Sequence, residues 1–319
     1  MKALIVACAF AAALAQAPTA HAFYPAKPIH LIVPFPPGAT ADTTARAIAQ
    51  YLSQALAQPV VVENKPGADG AIAATFVARA APDGYTLLFA GNTQMLGVPL
   101  LRKNPPYDPM RDFVPIAPLV KYAFFLVVHP TVPAQTLPEL VAYARSHPGK
   151  LNYASGNVNA ILAAAQLMSL RNLDMVHVPY KGEPLAIPDL LDGRVQMMFA
   201  TGAIVAPLVR ERRLRALVTL LPQRSSLLAD VPTASEAGVP ELSVVIWSGL
   251  FGPARVPADV VQTLWRETHA VLKKPQLLEQ FDRQGLEPSS GTPGEFAAFL
   301  KQQLVDWALA ARKAGLKAE

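Results

Sequence analysis

Cysteine is almost missing from this 319-residue chain: the one present is Cys8, inside an apolar N-terminal stretch. Loss of that stretch would leave no disulfide, no thiol nucleophile and no zinc–thiolate site. Charge is scarce too, at 16% of residues against 52% apolar, which describes a folded, core-rich chain and not a disordered one. The net charge of +5 is too small to mark a nucleic-acid surface. Its densest basic cluster, "RERRLR" at 210–215, reads as a solvated helix end. Catalytic and nucleotide motifs are missing as well. There is no G-x-S-x-G, no H-E-x-x-H and no phosphate loop G-x-x-x-x-G-K-[ST]. The six histidines are scattered. No enzyme activity, metal or cofactor is expected.

What is present begins with an export signal. Met1-Lys2 is a short basic start, "ALIVACAFAAALA" (3–15) an apolar core, and "AHA" (20–22) a small-x-small cleavage site. Residues 1–22 therefore read as a signal peptide cut after Ala22. "IVAC" (5–8) has too little apolar core before it for a lipoprotein box. No later segment reaches the roughly 20 uninterrupted apolar residues of a membrane-spanning helix. Loss of Lys2 lowers the formal charge from +5 to +4.

The remainder alternates between two periodicities. "HLIVPF" (30–35) reads as a buried strand. Ala45, Ile48, Ala49, Leu52 and Leu56 then recur at helical spacing from Asp42 to residue 57, with Asp42 or Thr40 placed to cap the start. "VVVEN" (60–64) and "TLLFAG" (86–91) are further strands, with a helix at 71–80 between them. That is a parallel α/β unit. A second such unit occupies about 125–244. Its strands are 124–130, 151–155, 175–180, 195–200 and 214–220, and its helices 136–148, 159–171 and 184–193. "VVIWSGLFGPA" (244–254) is long enough to return to the first unit, and two helices, 257–273 and 293–313, close the chain. Two α/β lobes joined by two strands, near 120–128 and 244–252, follow. The lobes take residues 23–124 with 245–319, and 125–244.

Ligands of open α/β sheets sit beyond the carboxyl ends of the strands. In a two-lobed chain that is the cleft, faced by strand ends near 35, 91, 155 and 200, so Asn92 and Thr93 join the candidate residues. The stretch "PFPPGATAD" (34–42) leads from strand to helix. Free N–H groups and a partial positive charge at that helix start suit an anion. Small residues at Gly38, Ala39 and Ala41 let a ligand approach the backbone, and the prolines, Pro36 among them, stiffen the turn. A plain strand–helix turn has the same features, so on this stretch alone both readings stand. "NYASGNVNAI" (152–161) is the counterpart in the second lobe. Ser155, Gly156, Asn157 and Asn159 make either a polar binding turn or a capping turn. His30, His129 and His177 read as structural. Trp247 reads as hinge packing, Met197 and Met198 as core, and Asp189 and Asp192 as solvated acids.

Several blocks resemble one family. "YPAKPIHLIVPFPPGATAD" (24–42), "VVVENKPGADG" (60–70), "APDGYTLLFA" (81–90), "YDPMRDFVPIA" (107–117), "VPYKG" (178–182), "RALV" (215–218), "RSSLLADVPTASEAGVP" (224–240) and "WSGLFGPARVP" (247–257) stand in the order found in the tripartite tricarboxylate transporter substrate-binding receptors, also called Bug receptors. The resemblance implies an α/β type II periplasmic binding-protein fold with a cleft between two lobes, and a monomeric periplasmic receptor with no nucleic-acid partner. It implies capture of a small organic carboxylate by loops at Pro36, Gly38, Ala39, Thr40 and Asp42 and at Ser155, Gly156, Asn157 and Asn159, with delivery to the permease subunits of a tripartite transporter. A ligand sensor that signals without feeding a permease is the alternative; an α/β-hydrolase-like enzyme lacks a nucleophile motif.

The chain departs from the family pattern in all three cleft loops. Ala39 stands for a glycine and Ala41 for a threonine. Val158 and a missing histidine alter the second loop. Ala200 and Thr201 replace an Asp-Asn pair, which removes an acid able to pair with a ligand ammonium. The resemblance thus points to a carboxylate without an amino group, contacted near Ala200 and Thr201.

Overall fold

A computed structural model describes residues 24–242, 244–313, 316 and 318. The expected signal peptide and Cys8 lie outside the described residues.

Two sheets organise the chain. In the first, β1 (Ile29–Val33) lies between β2 (Val60–Asn64) and β3 (Thr86–Gly91), all parallel. The strand β10 (Ile246–Pro253) runs antiparallel between β3 and β4 (Phe113–Tyr122), and the short β11 (Leu286–Pro288) completes the edge. The second sheet orders β7 (Val176–Pro179), β6 (Asn152–Ser155), β8 (Met197–Thr201), β5 (Phe124–Val128) and β9 (Arg215–Thr219). Here β6 pairs in parallel with β7 and β8, while β5 runs against β8 and β9. The chain changes sheet at Ala123, whose N–H donates to Gly285 O and whose carbonyl accepts from Gly202.

Strands buried on both faces read as continuous apolar runs, and β5 shows it: all five of its residues are buried. Helix α1 (Thr40–Leu56) lays Ala45, Ile48, Ala49, Leu52 and Leu56 on the first sheet. Helix α2 (Ala71–Ala78) and the later helices Leu137–Ser146 and Val158–Arg171 bury their apolar faces in one continuous core with Trp247, Phe251 and Phe296.

Some elements differ from the expectation. Strand β4 is ten residues long and contains Pro115 and Pro118. Its pairing with β10 shifts register between Ser248 and Gly249 and again between Leu250 and Phe251, opposite those prolines. Such irregularities are where a sheet tolerates a residue without an N–H. Helix Gly202–Arg210 carries an internal Pro207, and helix Pro275–Gln284 with β11 stands where two closing helices were expected to be enough. No described helix is long and apolar enough to cross a membrane.

Candidate functional site

In each sheet three parallel strands end at one edge. Their following loops are 34–39, 65–70 and 92–97 in the first lobe. In the second they are 156–157, 180–182 and the Thr201–Gly202 junction. The turn 92–97 meets the second lobe at the start of helix Val158–Arg171: a Cβ added at Gly97 would lie 3.2 Å from Val158 Cγ1.

The first-lobe loop is held by Asp42. Asp42 is 2% exposed, and its carboxylate accepts from Gly38 N–H at 2.9 Å, Arg46 Nε at 3.1 Å and Asn64 Nδ2 at 2.8 Å. Asn64 also donates to Phe35 O at 2.9 Å and accepts from Arg46 at 2.8 Å. Burial alone would raise the Asp42 pKa; the donors from Arg46, Asn64 and Gly38 outweigh it and hold the carboxyl below its ordinary range. Helix α1 starts two residues earlier than its apolar spacing indicated. Its N-cap is Ala39, and neither Asp42 nor Thr40 caps it from the side chain. The first N–H to bond back is that of Thr43, to Ala39 O at 3.0 Å. The N–H groups of Thr40, Ala41 and Asp42 precede it, the ordinary unpaired donors of a helix start. Pro36 and Gly38 are exposed and Ala39 and Thr40 partly so, which leaves the approach open.

Asn92 is buried and its amide is engaged: Nδ2 donates to Val245 O at 2.8 Å, and Oδ1 accepts from Trp247 N at 2.9 Å. It fastens the returning strand to the end of β3. Thr93 opens the turn 93–97 and is half-buried.

In the second lobe, Asn157 caps its helix by accepting from Ala160 N at 3.0 Å. Its Nδ2 donates to Glu183 at 2.6 Å. Thr201 donates to the same carboxyl from its backbone N–H and its hydroxyl, each at 3.0 Å. Glu183 begins helix Glu183–Leu191 and is buried. Desolvation pushes its pKa up against those three hydrogen bonds. Gly156 is required by contact: a Cβ there would stand 2.2 Å from Glu183 N. Ser155 is buried and shares a 2.7 Å hydrogen bond with His177 Nε2, whose ring stacks on Tyr153. Asn159 is buried, and its Oδ1 has no protein partner.

Two expectations are corrected. Ala200 is fully buried in the core of the second lobe with Phe125 and Met198, so its side chain does not line the cleft; an alanine on the inward face of β8 packs against the core. Nor has the second lobe lost its acid. Glu183 supplies one to Thr201, from the first residue of a helix whose start the sequence reading set one residue later. The local signal was an acid directly after "VPYKG"; its burial depends on Gly156 and Thr201, which are distant in the chain.

An apolar hollow of about 640 Å³ lies elsewhere, lined by Ala71, Ile72, Phe76, Arg79, Arg102 and Pro106 among first-lobe residues only. Among the described residues, no group of three or more His, Cys, Asp or Glu side chains is placed to hold a metal.

Facing loops of this kind, one with free backbone donors and one with polar side chains, suit capture of a small polar solute. Residues 44–316 match the family described as tripartite tricarboxylate transporter family receptor. The chain belongs to this family. Its members are periplasmic solute-binding receptors and not enzymes. Protein BugT of Bordetella pertussis is 34% identical over 307 residues, covering 94% of this chain and 93% of that protein. An R. palustris protein solved with adipate superposes with a TM-score of 0.82 at 28% identity, covering 93% of this chain and 100% of that one. MatC from Rhodopseudomonas palustris, solved with bound malate, gives 0.76 at 31% identity, covering 90% and 99%. The two-lobed α/β architecture is thus that of the periplasmic solute-binding receptors.

Proposed function

We propose that this chain is a periplasmic receptor that captures a small organic carboxylate between its lobes and hands it to the membrane permease of a tripartite tricarboxylate transporter. One observation carries the reading: the N–H groups of Thr40, Ala41 and Asp42 open a helix in a loop that Asp42 itself holds in shape. A carboxylate there meets several donors and the positive end of the helix dipole. Asp42, turned inward onto Gly38 and Arg46, orders the loop and does not pair with the ligand. The second lobe contributes Gly156, Asn157, Asn159 and Thr201. Relatives solved with adipate and malate support a carboxylate ligand. We also propose export with cleavage after Ala22, and lobes formed by 23–124 with 245–319 and by 125–244. The change of sheet between Tyr122 and Phe124 supports the first of those bounds.

A thermal-shift and calorimetric screen of mono-, di- and tricarboxylates tests the binding half. A ligand at 100 times its Kd stabilises the protein by about 2.7 kcal/mol, a clear upward shift in Tm. No shift with any carboxylate would contradict the proposal. Uptake of the bound carboxylate by cells, and its loss on deletion of the receptor, tests delivery; uptake unchanged by the deletion would leave sensing as the role.

A further inference from the structure

The two faces of the cleft differ in what they offer a ligand. The first lobe presents donors, the N–H groups at the start of α1. The second presents helix starts as well, after β6 and β8, and adds acceptors to them. Glu183 places a carboxyl group between Asn157 and Thr201, and no lysine or arginine pairs with it among the described residues. Oε1 accepts from Asn157 and from the Thr201 hydroxyl, while Oε2 accepts only from Thr201 N–H. A carboxylate accepts about four hydrogen bonds, so acceptor capacity remains on Oε2. Asn159, in the first turn of the same helix that Asn157 caps, holds a second acceptor, Oδ1, buried without a protein partner. A buried acceptor left unmatched is costly, and a ligand donor that reaches it is favoured accordingly.

We propose that Glu183 is the selectivity residue of the second lobe: it admits a ligand whose far end donates a hydrogen bond, a hydroxyl or an ammonium, and disfavours one whose far end is a second carboxylate. This rests on the carboxylate reading above and narrows it to hydroxy- or amino-carboxylates. The physical basis is like-charge repulsion in a site poor in water, which acts where the pH lies above the raised Glu183 pKa and its carboxyl is ionised, so the binding comparison is made on that side of the titration. Two carboxylates sharing a desolvated space cannot both stay ionised without cost. Gly156 packs against the backbone of Gly182 and Glu183, and the hydrogen bonds from Asn157 and Thr201 hold the carboxyl in place.

The test is calorimetry on the full mature protein with hydroxy-monocarboxylates, amino-monocarboxylates and dicarboxylates matched carbon for carbon. Wild type should bind a donor-bearing acid at least about tenfold more tightly than the matched dicarboxylate, the ratio expected of about one well-placed interaction. Glu183→Gln keeps the shape and removes the charge, and should lower that ratio at least about tenfold. Glu183→Asp, which keeps the charge, should preserve its direction. A merely structural role would weaken all the ligands together and leave the ratio unchanged, and that result overturns the inference while the carboxylate reading stands. If Glu183→Gln does not fold, the wild-type panel decides alone: a dicarboxylate bound more tightly than its matched hydroxy and amino acids overturns the inference. Failure of every carboxylate to bind wild type overturns both readings.

Discussion

The Asp42 carboxylate accepts the N–H of Gly38 at 2.9 Å, and this contact folds the proline-rich turn back onto the start of its own helix. Gly38 sits at φ +83°, a conformation that only glycine adopts freely, and nothing lies within 4 Å of where its Cβ would be. Its N–H is engaged by Asp42, so the donors left for a ligand are those of Thr40, Ala41 and Asp42.

Asp42→Asn should lower stability by about 1–3 kcal/mol, because one of the donors from Gly38, Arg46 or Asn64 then faces an amide N–H. Chemical denaturation of both proteins measures this. The wild-type advantage has a definite pH dependence. The Asp42 pKa is lowered in the folded state. Its contribution is therefore full above the ordinary aspartate range and fades as pH falls through the folded value. A gap between the two proteins that widens in acid would contradict the assignment.

Thr40→Pro removes one donor from the helix start without breaking the helix. Proline is tolerated at the first helical position, and Ala39 already has φ −65° and ψ 153°, the conformation favoured before proline. Stability should stay within about 0.5 kcal/mol. A hydrogen bond to a charged group contributes about 1.5–3 kcal/mol, so loss of this N–H should weaken carboxylate binding about tenfold or more by titration calorimetry. Gly38→Val is a poorer test, since a branched side chain at positive φ strains the turn whether or not a ligand is present.

Gly156→Ala should lower the urea midpoint, with a loss of about 1–3 kcal/mol. The added methyl would stand 2.2 Å from Glu183 N and 2.5 Å from Gly182 C, both backbone atoms that cannot swing aside.

The second lobe has the opposite pH signature to Asp42. Burial raises the Glu183 pKa in the folded state. The folded protein then holds a proton that the unfolded chain has released, and stability falls as pH rises from the ordinary glutamate range to the raised value. Glu183→Gln should flatten that part of the stability–pH curve. A curve of unchanged slope would mean that Glu183 does not titrate differently on folding.

Alternating periodicity made the two α/β units legible, because strands such as "VVVEN" and helices such as the one bearing Ile48 and Leu52 carry their burial pattern locally. Beta strand 4 was hidden by Pro115 and Pro118, which argue against a central strand until the register shifts in β10 are seen to absorb them. Helix Gly202–Arg210 was hidden by Pro207 in the same way. At the site, the strand-to-helix turns and Asn157 could be read from glycine and Asx chemistry. Glu183 could not. An acid at a helix start is ordinarily solvated and favourable with the dipole, and only the packing of Gly156 and Thr201 around it makes it a buried group. Asn92 was read by its position after a strand, but its partners Val245 and Trp247 come from more than 150 residues away.

The most direct measurement is a crystal structure of the protein with the tightest-binding carboxylate of the panel. The account predicts a ligand carboxylate within hydrogen-bond distance of the N–H groups of Thr40 to Asp42, with its far end at Asn157, Asn159 and Glu183. A ligand seated away from that helix start, for example in the hollow lined by Ile72 and Phe76, would contradict it.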